Sequence, residues 1–358
     1  MVVPSECYID IEDLNRDRML EILEKYGFLI VNNVVIEDKC DDYVNSIWTW
    51  MEGLQNSNPK AEAPKIRRDD PNTWVSREKC FNRGLSSYNW PSNGYGIISF
   101  YGIAHADFVW RARCEQNIRK IYSTVWQTNE LLVSFDGVCA MLPNSISQAS
   151  STSSWFHFDQ SPKKNGLHCV QGFLNLQNTT ESDGCFMVYP SSNQLHQQFF
   201  QDKGLFFDYD WYAFNQQNRG DEWFLSKGFQ PLKIIASKGS MVLWDSRTAH
   251  CSSLPTSNNL RYAIYICMLP RAIATEEQIA EKKRIFQERL GTNHWPHQNE
   301  VQYDESLLLQ EEEGDDQSSP APRYEKSISV EGDIQEINEE TLRLVGYTEE
   351  EIERIIQK

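Results

Sequence analysis

The sequence has no C-x-x-C pair, no apolar run approaching the length of a membrane span, no basic stripe and no internal repeat. Each absence removes a class of protein. Nine cysteines, scattered and odd in number, suit neither a disulfide framework nor a zinc knuckle and point to a reducing compartment. Residues Met1 to Glu12 lack the basic-then-apolar order of a secretory leader, so the expectation is a soluble, cytoplasmic protein. Non-specific nucleic-acid binding needs clustered Lys and Arg to neutralise phosphates, whereas the formal charge here is −17. That charge is uneven: residues 301–358 hold 17 acidic and 5 basic residues and so account for −12 of it. Residues 1–300 have an ordinary surface and enough length to bury a sizeable core.

Helices are expected first. Apolar residues near helical spacing over 12–27 end at Gly27, and Cys40 to Leu54 and Ala104 to Trp126 carry two more helical patterns. Residues 55–75 read as a long surface loop. From Leu131 the pattern changes to short strands: Leu131–Met141, His168–Leu176, Cys185–Tyr189, Leu232–Ala236, Ser240–Asp245, His250–Ser253 and Arg261–Leu269, separated by turn signals. Such a succession without helical crossovers predicts an antiparallel sandwich or barrel, buttressed by the preceding helices. Residues 199–229 interrupt the strands with eleven aromatics and read as a helical insert packed on the barrel, or as a lid or substrate wall. The expected organisation is one domain over 1–300, with helices about 12–126 and a β core about 131–270. An acidic, disordered linker over 301–330 and a short helical segment over 331–358, its last helix capped by Thr348, complete it.

The chemistry centres on Trp155-Phe156-His157-Phe158-Asp159-Gln160-Ser161-Pro162. Side chains of an extended strand alternate between faces, so His157 and Asp159 share one face. Two metal ligands are thereby offered from one strand. His250, just after the apolar run Ser240–Asp245, is the candidate third, and two histidines with one carboxylate on one side of an ion form the facial set of non-haem Fe(II) oxygenases. Arg261 begins the last strong strand, and its planar fork suits the carboxylate of a diacid. On that strand Ala263 leaves room beside the guanidinium, and Tyr265 shares the same face.

These features, together with Phe135-Asp136-Gly137, Gly166-Leu167-His168-Cys169-Val170-Gln171-Gly172 and Thr292-Asn293-His294-Trp295-Pro296-His297, resemble the phytanoyl-CoA dioxygenase-like family of Fe(II)/2-oxoglutarate oxygenases over roughly residues 15–297. The resemblance implies a mainly β fold with flanking helices around a double-stranded β-helix (jelly-roll, cupin-like) core. It implies Fe(II) held by His157, Asp159 and His250, and 2-oxoglutarate held by Arg261 with help from Ser252. Dioxygen is the second co-substrate, ascorbate a reductant, and succinate and CO2 the co-products. Halogenating relatives lack the carboxylate, so Asp159 points to hydroxylation or desaturation of a small to medium-sized organic substrate. The family's Pro-Gly-Ser-His turn is altered here to Pro190-Ser191-Ser192-Asn193, and Ile355-Ile356-Gln357-Lys358 is not a peroxisomal address, which argues against a fatty acyl-CoA substrate.

Plainer readings stand beside these. A lone histidine is ordinarily a hydrogen-bonded core residue, and His168, Cys169 and Cys185 read as barrel filling. His294 and His297 flank a Pro that prevents a regular helix and read as structural. Arg247 either contacts substrate or pairs with Asp245. Asp136 and Gln171, polar residues within apolar runs, either line the pocket or bond a neighbouring loop, and His105 is a weaker candidate of that kind. The rivals to an oxygenase are a cupin-like metalloenzyme that does not use 2-oxoglutarate and a binding or regulatory protein whose acidic C-terminal region recruits a partner.

Overall fold

The computed structural model describes residues 2–54, 64–83, 88–147, 155–299 and 337–357. Two β-sheets carry the architecture. The major sheet has seven strands in the order Tyr8–Asp10, Phe28–Asn32, Met241–Asp245, Val170–Asn175, Arg261–Tyr265, Val138–Met141 and Ile97–Ile98. The minor sheet has five, in the order Leu232–Lys233, Phe186–Val188, His250–Ser252, His157–Phe158 and Tyr212–Ala213. Tyr8–Asp10 runs parallel to Phe28–Asn32, and the other pairings within both sheets are antiparallel.

The side-chain period of two sorts the central strands of the major sheet into a helix face and a cavity face. Tyr262 packs against Trp48 with ring centroids 6.3 Å apart, beside Trp74 and Trp90, while its neighbours Arg261 and Tyr265 open on the cavity between the sheets. Gly172 lies on the helix face, where an added Cβ would come within 2.8 Å of Leu243 and of the Tyr122 hydroxyl. The covering helices are amphipathic for the same reason. Helix Gln116–Trp126 buries Ile118, Ile121, Tyr122 and Val125 at three- and four-residue spacing, each contributing about 1.5–3 kcal/mol. Helix Arg16–Tyr26 starts on the Asn15 side-chain cap and stops at Gly27, whose φ of 82° is the left-handed conformation glycine tolerates.

Two segments break where periodicity predicted continuity. The stretch 104–126 divides into a 3-10 turn, Ile103–His105, and helices Asp107–Arg113 and Gln116–Trp126, because Glu115 is extended and engages Tyr43 and Lys39. The stretch 131–141 divides as well. Leu131–Val133 pairs with Met268–Pro270, Val138–Met141 crosses to Arg261–Ile264, and Ser134–Gly137 bridges them. This crossing is held by buried groups: Arg113 donates to the carbonyls of Ala104 and Asp136, Lys282 to that of Val133, and Thr292 bonds Phe135 through both its N–H and its hydroxyl.

The aromatic insert is more than a helical plug. It contributes helices His196–Lys203 and Gly220–Ser226 and also strand Tyr212–Ala213, which joins the minor sheet beside His157–Phe158. Phe199, Phe200, Phe214 and Phe224 form a second core with Phe156 and Phe158, so the outward face of the His157 strand is buried against it. The turn Pro190–Asn193 keeps a left-handed residue, Ser191 at φ 65°; Ser192 accepts from the Ala249 N–H, and Asn193 donates to the end of helix Arg16–Tyr26.

The linker expected over 301–330 lies outside the described residues. Helices Glu339–Val345 and Glu349–Ile356 dock on strand Leu131–Val133 and helix Glu276–Gln287, burying Leu342, Leu344, Val345 and Ile352, with Arg119 paired to Glu340 and Lys283 to Glu351. Thr348 caps the last helix in a capping box with Glu351. Among the described residues no helix is long and apolar enough to cross a membrane.

Gly137 marks the tightest approach on the crossing segment, since a Cβ there would lie 1.8 Å from the Ile98 carbonyl oxygen. Gly137→Ala is expected to destabilise the protein by about 1–3 kcal/mol, measured as a lowered thermal midpoint. An unchanged midpoint would contradict this packing.

Candidate metal centre

His157 and His250 are direct partners across the antiparallel ladder of the minor sheet, which brings their rings to a centroid separation of 4.3 Å. Asp159, one strand period beyond His157, places Oδ2 3.1 Å from His250 Nε2 and Oδ1 3.6 Å from His157 Nε2. One ligand atom from each of the three lies within 4.8 Å of the others, and all three side chains are buried. The main chain sets the imidazole tautomers. His157 Nδ1 is 3.1 Å from the Trp155 carbonyl and His250 Nδ1 is 2.8 Å from the Thr248 carbonyl. A carbonyl only accepts, so each Nδ1 carries the proton and each Nε2 presents a lone pair to the shared space.

Burial and the neighbouring imidazole push the His157 pKa down to about 4, which keeps the ring neutral at physiological pH. For Asp159 burial acts to raise the pKa, but the net shift is downward, with His294 the leading group that opposes burial and holds the carboxyl below its usual range. Its second oxygen is fixed by Gln171, whose Nε2 donates to Oδ2 at 2.8 Å. The segment after the ligands is tied down in turn: Asp159 N–H donates to Ser246 O, and the Ser246 hydroxyl to Gln160 Oε1.

Arg261 enters the same space from the opposite sheet. It is 3 % exposed, donates from Nη1 to Ser252 Oγ at 3.3 Å and lies over the Phe173 ring at 5.1 Å. Its Nε is buried without a hydrogen-bond partner, and it pairs with no carboxylate among the described residues. A buried cation in that state is costly unless an anion completes it. The donor set therefore suits a divalent metal, and the guanidinium suits a carboxylate, within one cavity of about 610 Å³.

No family model matches the chain. Among curated proteins it is 30 % identical over 279 residues to "Ava biosynthesis cluster protein O" of Aspergillus versicolor, an alignment covering 76 % of this chain and 83 % of that one. It is 24 % identical over 299 residues to "Putative phytanoyl-CoA dioxygenase" of Dictyostelium discoideum, covering 74 % and 78 %. The chain belongs to the phytanoyl-CoA dioxygenase-like family of Fe(II)/2-oxoglutarate oxygenases. The enzyme class, an oxidoreductase of the dioxygenase type, follows from that membership. Among solved structures, AviO1 from Streptomyces viridochromogenes aligns with 14 % identity and a TM-score of 0.43 over 72 % of this chain and 96 % of that one.

Within this family site, sequence-derived candidates divide. His157, Asp159, His250, Ser252 and Arg261 meet around one cavity, and Asp136 and Gln171 line it too. Arg247 does not. Its guanidinium is bound to Asp245 at 2.6 Å and to Glu24 at 3.2 Å, which corrects its place among the substrate contacts. His294 is the reverse correction, because it stands on the cavity wall rather than in a purely structural position. The segment Thr292–Trp295 is irregular, and His294 lines the cavity from it. His105 is buried and bonds the Leu290 carbonyl, outside the cavity lining.

Trp211 was read only as part of the aromatic insert; it forms the lip, half exposed with its ring 6.2 Å from that of His157. Its φ of 78° costs a bulky residue about 1–3 kcal/mol. Asp210 anchors it by accepting from Ser161 N–H, Gln298 and Lys164. Trp155 stacks on His157 at 4.9 Å and is itself stacked by Tyr95, closing the other side.

Arg247→Ala should leave the buried Asp245 carboxylate unpaired and cost on the order of 3 kcal/mol. Chemical denaturation checks this. A variant of wild-type stability would show that the pair is dispensable.

Proposed function

We propose that the chain is an Fe(II)- and 2-oxoglutarate-dependent dioxygenase that hydroxylates, or desaturates, a small to medium-sized organic substrate, with His157, Asp159 and His250 as iron ligands and Arg261 with Ser252 as the seat of the distal 2-oxoglutarate carboxylate. The two sheets, facing each other across the cavity, read as a double-stranded β-helix, and residues 1–300 as the oxygenase unit. The observation that carries the proposal is the buried, carboxylate-free guanidinium of Arg261 opening on the same cavity as two Nε2 lone pairs and a carboxylate. A cupin-like enzyme that did not use a diacid would have no need of that cation.

When bound, the iron, 2-oxoglutarate and dioxygen supply oxidative decarboxylation to succinate and CO2 coupled to oxidation of a substrate C–H bond. The protein's share is position and exclusion. Carbonyl groups of Trp155 and Thr248 hold the two imidazoles in the donating tautomer. Gln171 restrains the Asp159 oxygen nearest His250. Phe186 and Trp244, with ring centroids 5.3 and 5.2 Å from that of His250, keep water from the ligand set and lower the local dielectric.

Succinate release from 2-oxoglutarate with Fe(II) and ascorbate tests the assignment. His157→Ala should fall to background, and Arg261→Ala should raise the KM for 2-oxoglutarate about 100-fold, ~2.8 kcal/mol at 1.4 per decade, while still binding metal. Unaltered turnover in His157→Ala would remove the proposed ligand set, and an unaltered KM in Arg261→Ala would favour the reading without 2-oxoglutarate.

A further inference from the structure

The oxygenase reading employs one part of the cavity and leaves the wall built by two irregular segments unassigned. The Ser134–Gly137 crossing brings Asp136 to that wall, and Thr292–Trp295 brings Asn293, His294 and Trp295. The Nε2 of His294 is buried and meets no hydrogen-bond partner among the described residues, a condition that costs about 1–3 kcal/mol and is relieved by a ligand. Asp136 accepts from the Gly137 N–H through Oδ1 at 2.8 Å and otherwise opens on the cavity.

Both residues line the same cavity as the His157, Asp159 and His250 side chains. Burial raises the Asp136 carboxyl, and after the Gly137 N–H the imidazole of His294 is the first group that opposes the rise. The same imidazole heads the groups that lower Asp159. The backbone beneath is rigid, because Arg113 binds the Asp136 carbonyl and Thr292 binds Phe135 at both its N–H and its C=O. Preorganised polar groups of this kind fix the orientation of a ligand that apolar walls only enclose.

The rest of the wall narrows the ligand class. Ile97, Phe186, Trp211 and Trp295 supply flat apolar surface, and Arg261 is the only Lys or Arg among the described lining residues, against Asp136, Asp159 and Asp210. A phosphate-bearing ligand would meet carboxylates without further cations. About 610 Å³, shared with the diacid co-substrate, suits a ring-sized molecule.

We propose that Asp136 and His294 form the substrate-recognition pole of this site, and that the substrate is a compact, ring-containing compound without phosphate whose O–H or N–H donates to Asp136 while His294 takes the adjoining polar atom. The proposal rests on the oxygenase reading, since it places the ligand beside the metal.

Matched fragment pairs test it by ligand-observed NMR under anaerobic conditions, on full-length protein already shown by calorimetry to bind Mn(II) and 2-oxoglutarate. Benzyl alcohol is compared with benzyl methyl ether, and benzamide with N,N-dimethylbenzamide. The donor-bearing member should bind about tenfold more tightly, the size of a hydrogen bond to a charged group. Asp136→Asn can keep the Gly137 bond through its carbonyl and turn an NH2 donor to the cavity, so the preference should disappear or invert. In His294→Phe, which retains the ring volume, it should fall below threefold. Equal binding of the paired fragments, binding of neither, or a preference surviving both substitutions would overturn the pole while leaving the oxygenase reading intact. Failure of wild-type protein to bind Mn(II) and 2-oxoglutarate would overturn both.

Discussion

Everything at this site depends on the cross-strand pairing of His250 with His157. One antiparallel register places two imidazoles side by side, and the strand period then sets Asp159 on the same face. A slip by one residue would turn either ring into the second aromatic core, so the register has to be held firmly. The structure holds it from both sides: Phe156 and Phe158 are buried among Phe199, Phe200, Phe214 and Phe224, while the Ser192 hydroxyl fixes the Ala249 N–H immediately before His250.

The opposite sheet meets a different constraint, the burial of a cation. Arg261 cannot be moved outward, because its strand is central in the major sheet and Tyr262 is wedged into the tryptophan cluster beneath the helices. The cost of desolvating the guanidinium is offset in part by the Ser252 hydroxyl and the Phe173 ring. On the proposed reading a diacid completes it. The minor sheet thus sets the donor atoms and the major sheet sets the charge that orients a co-substrate toward them.

Local patterns carried this much in the sequence. His157 and Asp159 are two residues apart, His250 follows the apolar run Ser240–Asp245, Arg261 begins a largely apolar strand, and period-two alternation is visible without any knowledge of the fold. The strand-rich core and its flanking helices were legible for the same reason. What was hidden depends on tertiary partners. The break at Ser134–Gly137 needs Arg113, Lys282 and Thr292, which are remote in sequence. Tyr212–Ala213 is a strand because the His157 strand offers it an edge, not because its composition demands one. Of its two readings Arg247 takes the ion pair, whereas the cavity position of His294 was hidden because no local pattern states which way a turn faces; a polar residue beside a helix-breaking Pro in a site-like motif was the available signal.

The asymmetry of the cavity follows from these parts. On the proposed reading, Arg261 serves an anion, His157, Asp159 and His250 a metal, and Asp136 with His294 a hydrogen-bonding group, all on one cavity. The most direct test of the central claim is calorimetric titration of 2-oxoglutarate into the protein with and without Mn(II). The account predicts one metal per chain and tight 2-oxoglutarate binding only when the metal is present, because one ligand must reach both the His157–Asp159–His250 group and Arg261. Binding of 2-oxoglutarate that is indifferent to metal, or absent in its presence, would contradict it.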